Sequence, residues 1–183
     1  IVLSNVGNES LVTPFKIDVS SDYLSDLSKI DLVYNKIDEK YYAAIFVKNN
    51  NYNYDLMYYN GTSWSIIFSD RNDLGELKLS SDGKTIAWVA EGVSPSSSWD
   101  NIDKLQVYSV SFQQESSVVY ASAGTSEFDI QGFDFSPNGA DFVVAIKNES
   151  SHYNQLYIVP TGGGALAQIT SSNSFKFYPY WIE

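Results

Sequence analysis

Apolar residues in this chain come in short runs, none longer than a β-strand, separated by polar turns. Three runs stand out at 41–47, 85–90 and 141–146, each following a tight polar turn. They are apolar at nearly every position, with no alternation. A strand that is apolar on both sides is a strand buried on both faces. The turns before them read Asn-Lys-Ile-Asp-Glu-Lys at 35–40, Ser-Ser-Asp-Gly-Lys at 80–84 and Ser-Pro-Asn-Gly at 136–139. Asp-Gly and Asn-Gly are strong hairpin signals, because glycine accepts the positive φ that such a turn demands.

The pattern repeats beyond the hairpin. A third strand opens on a polar residue followed by leucine at 56, 105 and 156, spacings of 49 and 51 residues. A fourth comes at 64–68, 117–120 and 165–169. A period near 50 with four strands per repeat predicts an all-β β-propeller of four-stranded antiparallel blades. The boundaries expected from the pattern are 28–74, 75–127 and 128–177. Residues 1–5 and 11–17 read as the last two strands of an earlier blade, and 178–182 as the first strand of a later one. Stretch 23–29 carries no clear period and reads as loop or a single helical turn.

Two stretches resemble a known repeat. Leu-Ser-Ser-Asp-Gly-Lys-Thr-Ile-Ala-Trp at 79–88 and Phe-Asp-Phe-Ser-Pro-Asn-Gly at 133–139 resemble the core of the WD40-like repeat of TolB-type propellers. Gln-Leu-Tyr-Ile-Val-Pro-Thr-Gly-Gly-Gly at 155–164 and Gln-Ile-Thr at 168–170 resemble the closing hairpin of that repeat, and Pro-Tyr-Trp at 179–181 resembles the opening of the next. The resemblance runs well over 75–183 and more weakly over 28–74. It implies a turn, a buried strand and a hairpin, and therefore a fold more than a function. Such propellers close with more blades than this chain holds. Two arrangements are open: part of a larger propeller, the favoured one, or a small ring whose N-terminal strands complete a blade begun at 178–183. Open terminal blades would invite self-association.

Composition narrows the partners. The 183 residues carry 11 Lys and Arg against 22 Asp and Glu, a net charge of −11, with 15% aromatics and no cysteine. A surface this acidic does not suit nucleic acid or an anionic membrane. Without cysteine there is no disulfide frame and no thiol nucleophile. No apolar run approaches the ~18 residues that cross a bilayer as a helix. The chain opens on Ile, not Met, which is the expectation for a mature or excised segment.

Catalytic chemistry finds little support in the sequence. His152 is the sole histidine and sits in a polar stretch, the setting of a solvated loop residue. No Gly-x-Ser-x-Gly elbow occurs. Gly162, Gly163 and Gly164 precede neither a helix nor Lys-Ser/Thr, so they read as a hairpin turn and not as a phosphate cradle. Carboxylates gather at Asp18, Asp22, Asp26 and Asp31 and again at Asp70, Asp73 and Glu76 without EF-hand spacing. Polar turns explain both groups; Asp70 and Asp73 remain a weak calcium candidate. Asn8, Asn60 and Asn148 each begin an N-glycosylation sequon. Tyr52, Tyr54 and Trp99, set among Asn and Ser, are candidate binding residues, aromatic anchors on adaptable loops; the alternative for them is packing between blades.

The sequence thus predicts a non-catalytic binding or structural module that needs no cofactor. It is expected outside the cytoplasm, with a protein or glycan as partner. The alternative is the propeller portion of a prolyl-oligopeptidase-like serine peptidase whose catalytic domain lies elsewhere.

Overall fold

The computed structural model describes residues 2–3, 15–16, 23–49, 51–71, 74–92, 102–120, 128–148 and 153–182, with side chains from Lys29 on except that of Asn148. Three four-stranded antiparallel sheets follow one another along the chain. The first blade holds β3 (Tyr23–Asn35), β4 (Lys40–Asn49), β5 (Tyr54–Tyr59) and β6 (Trp64–Arg71). The second holds β7 (Leu74–Leu79), β8 (Thr85–Ala90), β9 (Lys104–Ser109) and β10 (Gln114–Tyr120). The third holds β11 (Phe128–Phe135), β12 (Asp141–Asn148), β13 (Gln155–Pro160) and a short β14 (Ala167–Gln168). Ahead of them β1 (Val2–Leu3) pairs antiparallel with β2 (Phe15–Lys16).

The buried strands explain why the second run of every repeat is apolar throughout. Along β8, Ile86 and Trp88 pack into a core shared with Tyr42, Phe46, Leu56 and Tyr58 of the first blade. Ala87 and Val89, on the opposite face, join Phe133, Phe142, Val144 and Ile146 of the third. Successive side chains of a strand point to opposite sides. A blade between two blades therefore needs apolar residues at both parities. Aromatic rings fill the first junction, where Phe68 meets Phe46 at 6.2 Å and Trp88 at 5.2 Å between centroids. At the second, Phe142 contacts Phe133 and Phe135 at 5.8 and 4.5 Å.

The hairpin turns between first and second strands form a linked row. Asn35 Nδ2 donates to the Asp82 carbonyl at 3.3 Å, and Ser81 Oγ donates to the Pro137 carbonyl at 2.9 Å. Each turn is thus tied to the next.

Two segments differ from expectation. Residues 23–29 belong to strand β3 and are neither loop nor helical turn. The register slips between Tyr23 and Leu27 and again between Leu27 and Lys29. Those bulges break the period of two that would have marked the strand. At the other end, 178–182 runs alongside the third blade without a strand ladder among the described residues.

Candidate functional site

The first strands β3, β7 and β11 each form one edge of their sheet, and these edges meet as the inner strands of the blades, β7 lying beside both β3 and β11. A row of carboxylates joins them. Asp31 Oδ2 accepts the Leu79 N–H at 2.6 Å, and Glu76 Oε2 accepts the Phe133 N–H at 3.1 Å. Asp134 Oδ2 accepts the Trp181 N–H at 3.0 Å. Lys78 Nζ lies 3.9 Å from both Glu76 and Asp134. Asp31 and Glu76 each satisfy a backbone donor of the next first strand, charge-assisted bonds that fasten blade to blade, and Asp134 does the same for the segment that follows the third blade.

A cavity of about 250 Å³ opens where the second and third blades meet, at the end of the inner strands away from the hairpin turns. Glu76, Glu91, Asp103 and Asp129 line it, with Lys29 and Tyr178. Asp103 is the most deeply placed, 2% exposed, just before β9. Its carboxylate accepts the Ile130 N–H at 2.9 Å and the Gly92 N–H at 3.4 Å, bridging the two blades. Burial pushes the Asp103 carboxyl up to about 7; the two backbone donors oppose the rise and the Asp129 and Glu91 charges add to it. Glu76 is also raised by burial, against the Phe133 N–H and the lysines 78 and 29. Burial raises Asp31 too, against the Leu79 N–H and Lys78. The cavity is therefore acidic, with Asp103 at its deepest point changing charge close to neutral pH, which suits a cationic group.

The sequence-derived candidates are scattered with respect to this cavity. Tyr52 is 71% exposed at the tip of the loop between β4 and β5, with φ +65° and Lys48 Nζ 5.2 Å from its ring. Tyr54 instead packs on Phe46, its ring centroid 6.5 Å away, and belongs to the core of the first junction. Trp99 lies outside the described residues, as do Asn8, Asp73 and His152. Asp70 accepts from Asn49 Nδ2 at 2.8 Å, and the same amide donates to Asp55 Oδ1 at 3.0 Å. These bonds pin the β4–β5 loop to β6. No group of three metal-type ligands occurs among the described residues. Asn60 is exposed in the β5–β6 turn, its Oδ1 accepting from Thr62 N, Thr62 Oγ1 and Ser63 N. Asn148 ends β12, its backbone paired with Phe128. Of the acidic groups, Asp26 and Asp31 lie in β3 and not in a turn. Glu91, Asp103 and Asp129 carried no signal in the sequence, since only blade stacking brings them together.

No family model and no curated protein sequence matches the chain. Solved structures do. A protein of Agrobacterium tumefaciens assigned as TolB superposes with a TM-score of 0.62 at 16% identity, covering 92% of this chain and 54% of its own. The chain thus spans about half the length of that structure. The β-propeller domain of the Trilobed protease from Pyrococcus furiosus, described as having an open velcro topology, gives 0.51 at 12% identity over 79% of this chain and 41% of its own. The tricorn protease gives 0.51 at 9% over 80% and 14%. At such identities the likeness is one of fold. The described residues contain no helix long and apolar enough to cross a membrane. With its four-stranded blades in sequence and its inner strands fastened by carboxylates, the chain has the TolB-like β-propeller fold.

Proposed function

We propose that this chain is a non-catalytic binding module, working outside the cytoplasm, whose acidic cavity between the second and third blades receives a basic side chain of a partner protein. The observation that carries this reading is the convergence of Glu76, Glu91, Asp103 and Asp129 on one concave space. Its size of about 250 Å³ falls below the ~300–1,000 Å³ of small-molecule sites, and matches one inserted side chain better than a drug-sized ligand. Charge of one sign in a cleft raises the encounter rate of an opposite charge and fixes its register. A bound cation would also draw the proton from Asp103. Affinity then rises as pH passes upward through about 7.

A lysine-rich synthetic peptide, followed by fluorescence anisotropy, tests the reading. The expected result is saturable binding that weakens with salt, falls about tenfold or more in a Glu76→Gln, Asp129→Asn double variant, and is absent for a matched acidic peptide. Equal binding by the double variant would sink it.

A second reading is supported by the likeness to two protease propellers. In it the chain is the propeller portion of a prolyl-oligopeptidase-like serine peptidase. Labelling of the full natural polypeptide by a fluorophosphonate would select this reading, and a lack of labelling would remove it.

A further inference from the structure

The chain holds two Asn-Gly pairs, Asn60-Gly61 and Asn138-Gly139, and the fold sets them in opposite conditions. Such a pair carries both halves of a reaction. The glycine backbone nitrogen is a nucleophile, the asparagine side-chain carbonyl carbon is an electrophile, and glycine puts no Cβ in the way. The hydrogen bonding of each half decides whether they meet.

At 138–139 the nucleophile is engaged. Gly139 N donates to Ser136 O at 2.8 Å, while Asn138 Oδ1 is held by Ser136 Oγ at 2.8 Å and Ala140 N at 3.0 Å. Attack would require this turn, which leads into the buried strand β12, to open first. At 60–61 it is the electrophile that is engaged. Gly61 N has no acceptor among the described residues. Asn60 Oδ1 accepts from Thr62 N at 3.0 Å, Thr62 Oγ1 at 2.8 Å and Ser63 N at 2.9 Å. These donors polarise the carbonyl and stand where negative charge gathers when its carbon is attacked. Asn60 is exposed, so water reaches it. Gly61 lies at φ +90°, and a Cβ there would meet Lys40 Cδ at 2.9 Å, so both conformation and space keep a glycine beside the asparagine.

We infer that Asn60 is a site of spontaneous covalent modification, converting to isoaspartate and aspartate, and that Asn138 is kept from the same reaction by its turn. Gly61 N bonds to Asn60 Cγ, the Cγ–Nδ2 bond breaks, and ammonia leaves with the proton that Gly61 N gives up. The product is a cyclic imide. Water opens it at either carbonyl, and no other reactant is needed; opening at the former backbone carbonyl gives isoaspartate. Each conversion adds one negative charge to a chain already at −11. Isoaspartate also lengthens the main chain of the turn and takes the Oδ1 acceptor from Thr62 and Ser63. That turn sets the register of β6, whose Phe68 packs on Phe46 and Trp88. The chemistry shares no residue with the acidic cavity and is independent of the binding role proposed above.

The test is ageing of the folded, glycan-free chain at mildly alkaline pH, where the glycine amide is more readily deprotonated. Peptide mapping with electron-transfer fragmentation then separates isoaspartate from aspartate at each position. Conversion at Asn60 is expected to run at least about tenfold faster than at Asn138, the two rates converging in urea, where neither turn persists. Thr62→Ala, at an exposed turn position, should slow Asn60 about threefold and leave Asn138 unchanged; no slowing overturns the part assigned to the hydroxyl donor. Asn138 converting as fast as Asn60 in the folded chain overturns the inference, as does an Asn60 that stays intact while the urea-unfolded chain converts. A rate ratio that urea leaves unchanged overturns it too, since local sequence alone would then set the difference.

Discussion

The hairpin turns of the second and third blades are almost the same object in isolation, and different objects in the molecule. In both, a glycine N–H donates to a serine carbonyl at 2.8 Å, Gly83 to Ser80 and Gly139 to Ser136. In both, the serine hydroxyl meets an Asx side chain, Asp82 at 2.6 Å and Asn138 at 2.8 Å. That Asx oxygen accepts the following N–H, of Lys84 or Ala140, at 3.0 Å. Even the glycine φ values agree, +71° and +69°. The surroundings diverge. A Cβ on Gly83 would sit 2.3 Å from Tyr42 Cγ, whereas on Gly139 the nearest atom would be 3.9 Å away. Tyr58 of the first blade donates its hydroxyl to the Gly83 carbonyl at 2.6 Å. Local sequence makes the turn; the neighbouring blade decides what the turn bears.

The largest effect is therefore expected at Gly83. Gly83→Ala combines left-handed strain with a methyl driven into a ring that stacks on Tyr58, 6.3 Å between centroids. Overpacking and strain together cost at least about 3 kcal/mol. Urea unfolding should show a clear fall in midpoint, and a variant as stable as the parent would refute the locked turn.

Next in size is the pH dependence of the second junction. A carboxyl raised in the folded state binds its proton more tightly there than in the unfolded chain. The stability it contributes is full below its ordinary value near 4 and is lost as pH rises toward 7. Glu76 and Asp31 are raised in the same direction. The chain should melt at a higher temperature at pH 5 than at pH 7.5. Asp103→Asn should flatten that slope, by an amount on the order of a few kcal/mol. An unchanged slope in the variant would detach Asp103 from the junction.

Tyr58→Phe comes third. It removes the donor to the buried Gly83 carbonyl while keeping the ring, and is expected to cost about 1–2 kcal/mol. The parent should also lose stability as pH rises above 10. Burial raises the Tyr58 hydroxyl, and the hydrogen bond to Asp38 raises Tyr42 to about 12, so both are held neutral in the folded state past the point where an unfolded tyrosine ionises. The variant should lose part of this alkaline sensitivity; identical alkaline melting curves would place the ionisation elsewhere.

The contrast between the turns also shows how far the sequence could be read. Ser-x-Asp/Asn-Gly before an apolar run is local chemistry, and the turns, the second strands and the repeat were legible from it. The opening of strand β3 over 23–29 was not, because its bulges erase the alternation around Leu27. The cavity was not either. Its carboxylates come from positions 76, 91, 103 and 129, which no spacing rule connects. Asp31 appeared as one acid among several near a turn, and only the stacking of β7 beside β3 turns it into an acceptor for Leu79. Tyr54 looked like a partner of Tyr52 in the sequence, yet Tyr52 stays on the loop with its ring outward while Tyr54, two residues on, opens β5 and turns its ring to the core.

Gly139→Ala is the smallest and most discriminating of the four changes. The turn it occupies has the same hydrogen bonds as that of Gly83. A methyl there meets nothing closer than Ser80 Cβ at 3.9 Å, an ordinary contact. There remains the conformational cost of a side chain at φ +69°, about 1 kcal/mol, partly offset by the smaller entropy of the unfolded chain. Measured beside Gly83→Ala under the same conditions, the difference between the two isolates the contribution of the first blade to the second blade's turn. A gap of about 2 kcal/mol or more assigns that excess to the Tyr42 ring. Equal losses would mean that φ alone sets the cost at both glycines, and that the junction yields to an extra methyl without resistance.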